Sequence, residues 1–113
     1  MTTRKNRIRI TILTAGIVTS GVLSSAAGAQ GAAQKNYKKN CTPCHGADGS
    51  ANTPAGKPLK ARDFHSPEVQ KESDETLASI IAKGKNNMPA FEKTLKPIEI
   101  ADLVKYIRNF AKK

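Results

Sequence analysis

The chain has 113 residues, 19 of them basic and 9 acidic, and a formal net charge of +10. Two cysteines, three phenylalanines and no tryptophan leave little material for a large hydrophobic core. This length and composition favour one small domain that a covalent link, a metal or a cofactor stabilises.

The first 29 residues have the pattern of a secretory signal peptide. Residues 4–9 include four basic and no acidic residues, residues 10–23 carry no charge, and Ala27 and Ala29 provide the small residues of an A-x-A cleavage site. We therefore expect cleavage after Ala29, which leaves a mature domain of residues 30–113. A retained membrane anchor is the alternative, because the uncharged stretch of residues 10–29 is long enough to span a bilayer.

The mature domain remains basic without this leader. Removing the leader's four basic residues from the 19 leaves 15 against 9 acidic residues, a net charge of +6. A basic surface suits nucleic acid, an anionic membrane or an acidic protein. Export and the lack of interleaved aromatic and basic residues argue against nucleic acid. We expect a monomer with acidic protein partners, and membrane contact only if the leader is retained.

The first predicted helix of the mature domain covers about residues 32–40, where Ala33 and Tyr37 lie four apart on one face. Residues 46–67 are rich in Gly, Pro, Ser, Asn and Asp and predict a long irregular loop. A loop of this length in so small a domain suggests that it wraps around something.

Two further helices follow the loop. One begins after the N-cap Ser73, ends at Gly84 and has an apolar stripe of Leu77, Ile80 and Ile81. The last helix begins near Pro97, a residue favoured in the first turn. Its apolar stripe and flanking aromatic residues are Ile100, Leu103, Val104, Ile107, Tyr106 and Phe110. No segment alternates with period two, so we predict an all-α fold.

Residues 40–46, N-C-T-P-C-H-G, contain both cysteines and one of the two histidines. A disulfide between Cys41 and Cys44 would close a very small loop, and a thioredoxin-like dithiol needs a βαβ context that is not visible. Zinc ligation by Cys41, Cys44, His45 and His65 does not match known zinc spacings. Covalent haem is the favoured interpretation, with two thioethers to the porphyrin and His45 as an axial iron ligand.

Met88, the single methionine of the mature domain, is the candidate for the second axial ligand. It lies in a polar loop directly before Pro89, which is an unusual place for a methionine that merely fills a core. His65 is the rival ligand, although a surface histidine is its simpler interpretation.

Together these residues resemble the class I c-type cytochromes of the small bacterial monohaem type. The resemblance rests on C-T-P-C-H at residues 41–45, M-P-A-F at 88–91 and A-D-L-V-K-Y-I at 101–107, and it covers nearly the whole mature part. It implies a small cytochrome c fold, with three or more helices and long loops wrapped around one covalently bound haem c. It also implies packing of the first helix on the last through Tyr37 and Leu103.

The resemblance further implies a function. The protein is expected to be a soluble periplasmic electron carrier rather than an enzyme, which cycles iron between Fe(III) and Fe(II). It would accept electrons from a donor complex and pass them to an oxidase or reductase. The alternative is a haem sensor or peroxidase-like protein in which Met88 is labile.

The resemblance also predicts the surroundings of the haem. A proline carbonyl is expected to accept the outer N–H of His45, and Pro58 is favoured over Pro54 for this role. Leu59 and Ile80 are expected in the haem pocket. The wider apolar shell is predicted to include Phe64, Leu95, Leu103 and Ile107, and the residues near the propionates to be Arg62, Asn86 and Asn87.

Overall fold

The computed structural model describes Gly16 and residues 25–112, and in this part of the chain the regular secondary structure is helical. The elements are α1 (Ser25–Asn40), α2 (Thr42–His45), α3 (Gly56–Leu59), α4 (Pro67–Gln70), α5 (Asp74–Lys83), α6 (Pro97–Arg108) and a terminal 3₁₀ helix (Asn109–Lys112). Residues 1–15 and 17–24 of the expected leader lie outside the described residues. The signal peptide and its cleavage therefore stay predictions.

Helix α1 begins at Ser25 rather than near Ala32, and it ends at Asn40 as predicted. Its additional residues are three alanines, two glycines, a serine and a glutamine, which form no apolar stripe that periodicity could reveal. The helix therefore continues across the junction between Ala29 and Gln30. Its buried side is the predicted one, because Ala33 and Tyr37 are buried.

Helix α5 confirms the predicted start and stop signals. The side chain of Ser73 accepts a hydrogen bond from the N–H of Thr76, and Gly84 ends the helix with a positive φ of 75°. Leu77 and Ile81 are buried, whereas Ile80 is half-buried. Ile80 thus remains available to line a cavity.

Helix α6 packs against α1 and α5 and carries much of the core. Its four predicted stripe residues are all buried, and Leu103 is fully buried. The rings of Tyr37 in α1 and Tyr106 in α6 have centroids 4.9 Å apart. Asn36 of α1 also donates a hydrogen bond to Glu99 of α6, at 3.2 Å. The predicted pairing of the first and last helices is confirmed.

The predicted long loop is only partly irregular, because it contains the single turn of α3. Thr53 Oγ1 donates to the carbonyl of Cys44 at 2.8 Å, and this bond folds the loop back onto α2. A Cβ atom added to Gly56 would collide with the same carbonyl, so the close approach of α3 to α2 requires glycine. The loop therefore builds a wall beside the cysteine motif.

No helix among residues 25–112 is long and apolar enough to cross a membrane.

Candidate functional site

The cysteine motif forms a single helical turn at the end of α1. The N–H groups of Cys44 and His45 both donate to the carbonyl of Cys41, at 3.2 and 2.9 Å. The buried hydroxyl of Tyr37 donates to the carbonyl of Gly46 at 2.7 Å, and burial raises the pKa of this phenol. The turn is therefore anchored on α1 at both of its ends.

The ring of His45 is buried and fixed on two sides. Its Nδ1 lies 2.9 Å from the carbonyl oxygen of Arg62, and Phe64 stacks on the ring with centroids 4.2 Å apart and an interplanar angle of 16°. A carbonyl can only accept, so Nδ1 carries the proton and Nε2 keeps its lone pair. Burial lowers the pKa of His45. The imidazole therefore has Nε2 free to act as a donor atom.

The two cysteines are free, half-buried thiols. Burial, with a smaller contribution from Cys44, raises the pKa of the Cys41 thiol to about 11. Redox-active dithiols depend on the opposite shift, because the thiolate is the reactive form. The two thiols form no disulfide with each other, and the raised pKa of Cys41 gives no support to the dithiol interpretation.

Met88 lies on a tight turn that follows α5. The N–H of Met88 donates to the carbonyl of Lys85 at 2.9 Å, and Asn86 has a positive φ of 52°. A Cβ atom on Gly84 would come within 2.5 Å of the carbonyl oxygen of Met88. The N–H of Phe91 then donates to the carbonyls of Ile81 and Ala82. These contacts place Met88 at a defined point beside α5.

One cleft brings the predicted ligands together. Cys41, Cys44, His45 and Met88 all line a mostly apolar cavity of about 250 Å³ that opens to solvent. A smaller cavity of about 50 Å³ shares Cys41, His45 and Met88 with it and continues inward. Residues separated by more than forty positions in the chain thus face the same space.

The predicted pocket residues are only partly found at this cleft. Leu59 and Ile80 line the larger cavity, and so do Arg62, Asn86 and Asn87. Of the wider apolar shell, Phe64, Leu103 and Ile107 line the inner cavity, together with Ile80. Leu95 is buried in the core but lines neither cavity.

The prediction for Pro58 is wrong with respect to hydrogen bonding. Arg62 supplies the carbonyl that accepts from His45, and Pro58 is an exposed residue within α3 that does not line the cleft. After α3, Lys60 adopts a left-handed conformation with φ of 54°. This turn redirects the chain, so the carbonyl that reaches α2 belongs to Arg62, which follows both Pro54 and Pro58 in the sequence.

His65 does not belong to the cleft. Its Nδ1 lies 2.7 Å from Asp63 Oδ1, and its ring meets Phe110 edge-on with centroids 5.7 Å apart. Within the described part of the chain, no three His, Cys, Asp or Glu side chains converge as a possible metal cluster. The ligand geometry that a zinc site would need is therefore not formed by these residues.

Several residues at the cleft were not predicted. They are Asn40, Ala61, Pro89 and Phe91. Phe91 belongs to the M-P-A-F segment and could have been proposed from that motif. Asn40 ends α1 directly before Cys41, and the other residues follow the turns at Lys60 and Asn86, which both have positive φ. Asparagine tolerates positive φ, so the turn at Asn86 has a sequence signal, whereas the turn at Lys60 has none.

Comparison with known proteins identifies the family. A family model described as cytochrome c oxidase, cbb3-type, subunit III matches residues 28–107, which include the cysteine motif, Met88 and nearly all of α6. The chain belongs to this family of c-type cytochromes. The resemblance to a small class I cytochrome and the all-α cytochrome c fold are both confirmed.

Individual relatives agree with this assignment. Cytochrome c6 of Nostoc sp. (strain PCC 7120 / SAG 25.82 / UTEX 2576) is 37% identical to the cytochrome over 73 residues, which are 65% of this chain and 63% of the relative. The match thus spans less than two thirds of that relative's length. The solved KustC0563 c-type cytochrome is 39% identical with a TM-score of 0.64, and the match covers 69% of this chain and 95% of that one. The solved structure of a point mutant of Kustc0563 is 38% identical, with a TM-score of 0.63.

The cofactor of the cytochrome is one covalently attached haem c. The residues at the cleft fit this group, because two free thiols, a neutral imidazole and a thioether line one apolar space. Thioether and imidazole are ligands that haem iron accepts on opposite faces.

Proposed function

We propose that the cytochrome is an exported, periplasmic electron carrier that holds its haem through Cys41 and Cys44, with His45 and Met88 as the axial iron ligands. The observation that carries the proposal is the single apolar cleft lined by all four side chains. When bound, the haem supplies an iron that takes up and releases one electron. The cytochrome would receive electrons from one redox protein and deliver them to an oxidase or reductase.

The protein's part in this function is to fix the ligands and exclude water. The Arg62 carbonyl and the Phe64 ring hold His45 in one orientation and one tautomer. Two strong axial ligands would leave no coordination position for a substrate, which favours electron transfer over catalysis. With a methionine and a histidine as its ligands, the iron would have a raised reduction potential, and the apolar lining would add to this effect.

The cleft mouth supports a role in docking acidic proteins. Lys60, Lys85 and Arg62 line the cleft, and Lys57 lies on the adjoining helix α3. Leu59 lies between these cations and is 42% exposed, so the mouth combines positive charge with an apolar contact. Such a rim would orient an acidic partner with its redox centre towards the cleft.

The proposal is tested by the mass and the spectrum of the exported protein. The chain should be expressed with its leader in cells that carry a cytochrome c maturation system. The purified protein is expected to have the mass of residues 30–113 plus one haem, with a low-spin spectrum in both oxidation states. Cys41→Ala/Cys44→Ala should lose covalent haem.

Two other outcomes would overturn parts of the proposal. A mass that matches unmodified residues 30–113 would contradict covalent attachment. A reduced protein that binds carbon monoxide readily would contradict the closed axial set and indicate a haem sensor or peroxidase-like protein instead. Retention of residues 1–29 would contradict the soluble periplasmic location and leave the redox chemistry unchanged.

A further inference from the structure

One side-chain hydrogen bond connects the two chain segments that hold the proposed iron ligands. Asn87 Nδ2 donates to the carbonyl oxygen of Leu59 at 3.3 Å, between residues 28 positions apart. Asn87 directly precedes Met88, and Leu59 ends α3 three residues before Arg62. The bond therefore joins the turn that places Met88 to the segment that orients His45.

The turn of Met88 is otherwise held only from the side of α5. Its backbone bond from Met88 to Lys85 lies within the turn, and Phe91 attaches its far end to Ile81 and Ala82. Within residues 25–112, the bond from Asn87 is the one hydrogen bond that links residues 84–91 to residues 41–66. Without it, the turn could move away from the cleft while its base on α5 stayed intact.

The position of this bond fits a latch at the cleft mouth. Both Asn87 and Leu59 line the larger cavity and are exposed to solvent. An external ligand can occupy the position of Met88 only after the side chain of Met88 withdraws. Because Met88 follows Asn87 directly, withdrawal of its backbone would stretch or break the bond to Leu59.

We propose that Asn87 is a positioning residue that holds the Met88 turn against the His45-bearing side of the cleft and so opposes displacement of Met88 by external ligands. The inference rests on the proposed function, because it takes Met88 as an axial ligand. In this proposal Asn87 does not bind the iron. Its effect is on the equilibrium between a closed and an open turn.

The test measures imidazole binding to the ferric holoprotein. Binding is followed by loss of the weak long-wavelength charge-transfer absorption of methionine-ligated haem. Asn87→Ala removes the donor, and Asn87→Asp removes it while keeping the shape of the side chain. Asn52→Ala is the control, since Asn52 is exposed and does not line the cleft.

Both Asn87 variants should bind imidazole about 2- to 10-fold more tightly than the wild type, the range that one net hydrogen bond gives. They should keep covalent haem and the charge-transfer absorption before imidazole is added, and Asn52→Ala should bind as the wild type does. Unchanged affinity in both Asn87 variants would overturn the proposal.

A double variant separates the latch from a general loosening of the cleft. In Met88→Ala the position opposite His45 is already open, so adding Asn87→Ala should change imidazole affinity by less than about twofold. An equal increase in both backgrounds would show that Asn87 acts on the pocket and not through Met88. Failure of the proposed function is distinct, because the wild type itself would then lack the methionine-dependent absorption.

Discussion

Three contacts determine how His45 presents its ring, and two of them come from the loop after the cysteine motif. The Arg62 carbonyl accepts from Nδ1, Phe64 stacks on the ring, and the backbone of α2 sets its position. An imidazole held in this way moves little when the charge of a neighbouring group changes. This rigidity suits a centre that must alternate between two charges with little reorganisation.

Met88→Ala tests the second axial ligand. The variant should keep covalent haem, lose the charge-transfer absorption of the ferric protein and show a reduction potential lower on the order of 0.1 V, within the ~0.8 V span that axial ligands set. Visible spectroscopy and potentiometric titration provide the measurements. If both features persist, another residue ligates the iron.

The matched control for this variant is Met88→Ala/His65→Ala. His65 is engaged with Asp63 and Phe110 and lies outside the cleft, so its removal should not alter the spectrum of Met88→Ala further. A change from low spin to high spin on removing His65 would instead show that this histidine replaces the methionine.

The sequence predicts a residue's role where the chemistry of its side chain defines that role. The C-x-x-C-H spacing placed Cys41, Cys44 and His45 on one turn, and Met88 stood out as the single methionine of the mature domain. The partner of His45 was not readable, because any backbone carbonyl can accept its proton. The choice of Arg62 over Pro58 depends on the left-handed turn at Lys60, where no glycine marks the position.

Hydrogen bonds from Arg108 join the end of α6 to the start of α5. Its guanidinium donates to the carbonyls of Gln70 and Glu72 and to Asp74 Oδ1, while only 27% of its side chain is exposed. The planar, forked donor set reaches all three acceptors at once. The cleft depends on this junction, because α5 carries the turn of Met88.

Arg108→Ala should therefore lower the free energy of unfolding by about 2 kcal/mol, since it leaves backbone carbonyls without donors. Arg108→Lys should recover less than half of this loss, because one ammonium group cannot reach the same set. Lys105→Ala is the control in the same helix. Its bridge to Asp102 is 75% exposed on the lysine side and should contribute about 0.5 kcal/mol or less. Chemical denaturation of the holoprotein measures all three, and equal losses for Arg108→Ala and Lys105→Ala would contradict the prediction.

The contact between α1 and α6 should depend on pH through Glu99. The backbone N–H of Lys96 and then the side chain of Asn36 lower the pKa of Glu99 from its ordinary value of 4.5. A carboxyl group with a depressed folded-state pKa stabilises the fold above its unfolded pKa, and this contribution is lost as pH falls through the folded value.

The stability difference between the wild type and Glu99→Gln should therefore be larger at about pH 7 than at about pH 3.5, as measured by denaturation at each pH. Glu92→Gln is the control, because Glu92 makes neither of these bonds. A difference that is constant with pH would show that the ionised carboxylate is not what stabilises the contact.

The longer helices were predictable because they carry both a stripe and end signals. Ser73 and Gly84 bound α5, and Pro97 begins α6, as their sequence positions indicate. Single turns such as α2, α3 and α4 span four residues each, which is too short for periodicity to appear. Helix α4 does have local start signals, since Ser66 accepts a hydrogen bond from the N–H of Val69 and Pro67 stands in its first turn. Helices α2 and α3 are held together by the bond from Thr53 Oγ1 to the Cys44 carbonyl, which the sequence does not reveal.

The all-α fold leaves an open cleft, and the side chains of this domain, which has no tryptophan, do not fill it. The core lies between α1, α5 and α6, while α2, α3 and the Met88 turn surround an open apolar space. A domain of this size gains much of its stability from what occupies that space. The sequence predicted this need from composition alone, but the shape of the cleft depends on contacts between distant residues.

The basic surface of the molecule should make electron delivery depend on salt. Lys60 and Lys85 lie at the cleft mouth, where a partner must approach for electrons to cross a short distance. Opposite charges raise association rates by about 10- to 1000-fold at low ionic strength. The attraction weakens as salt shortens the Debye length, which is about 10 Å at 0.1 M. The second-order rate of electron transfer to an acidic redox protein should therefore fall as ionic strength rises.

Charge reversal locates the part of the surface that matters. Lys85→Glu should lower the low-salt rate about 3- to 10-fold, whereas Lys112→Glu should lower it less than twofold, because Lys112 lies in the terminal 3₁₀ helix and does not line the cleft. Both variants change the net charge by the same amount, so a difference between them reports position rather than total charge. Stopped-flow measurements across a salt series provide the rates, and the two variants should converge with the wild type at high salt. Equal effects of the two reversals would mean that only net charge steers the partner, and a rate independent of salt would mean that the cations at the cleft mouth do not guide docking.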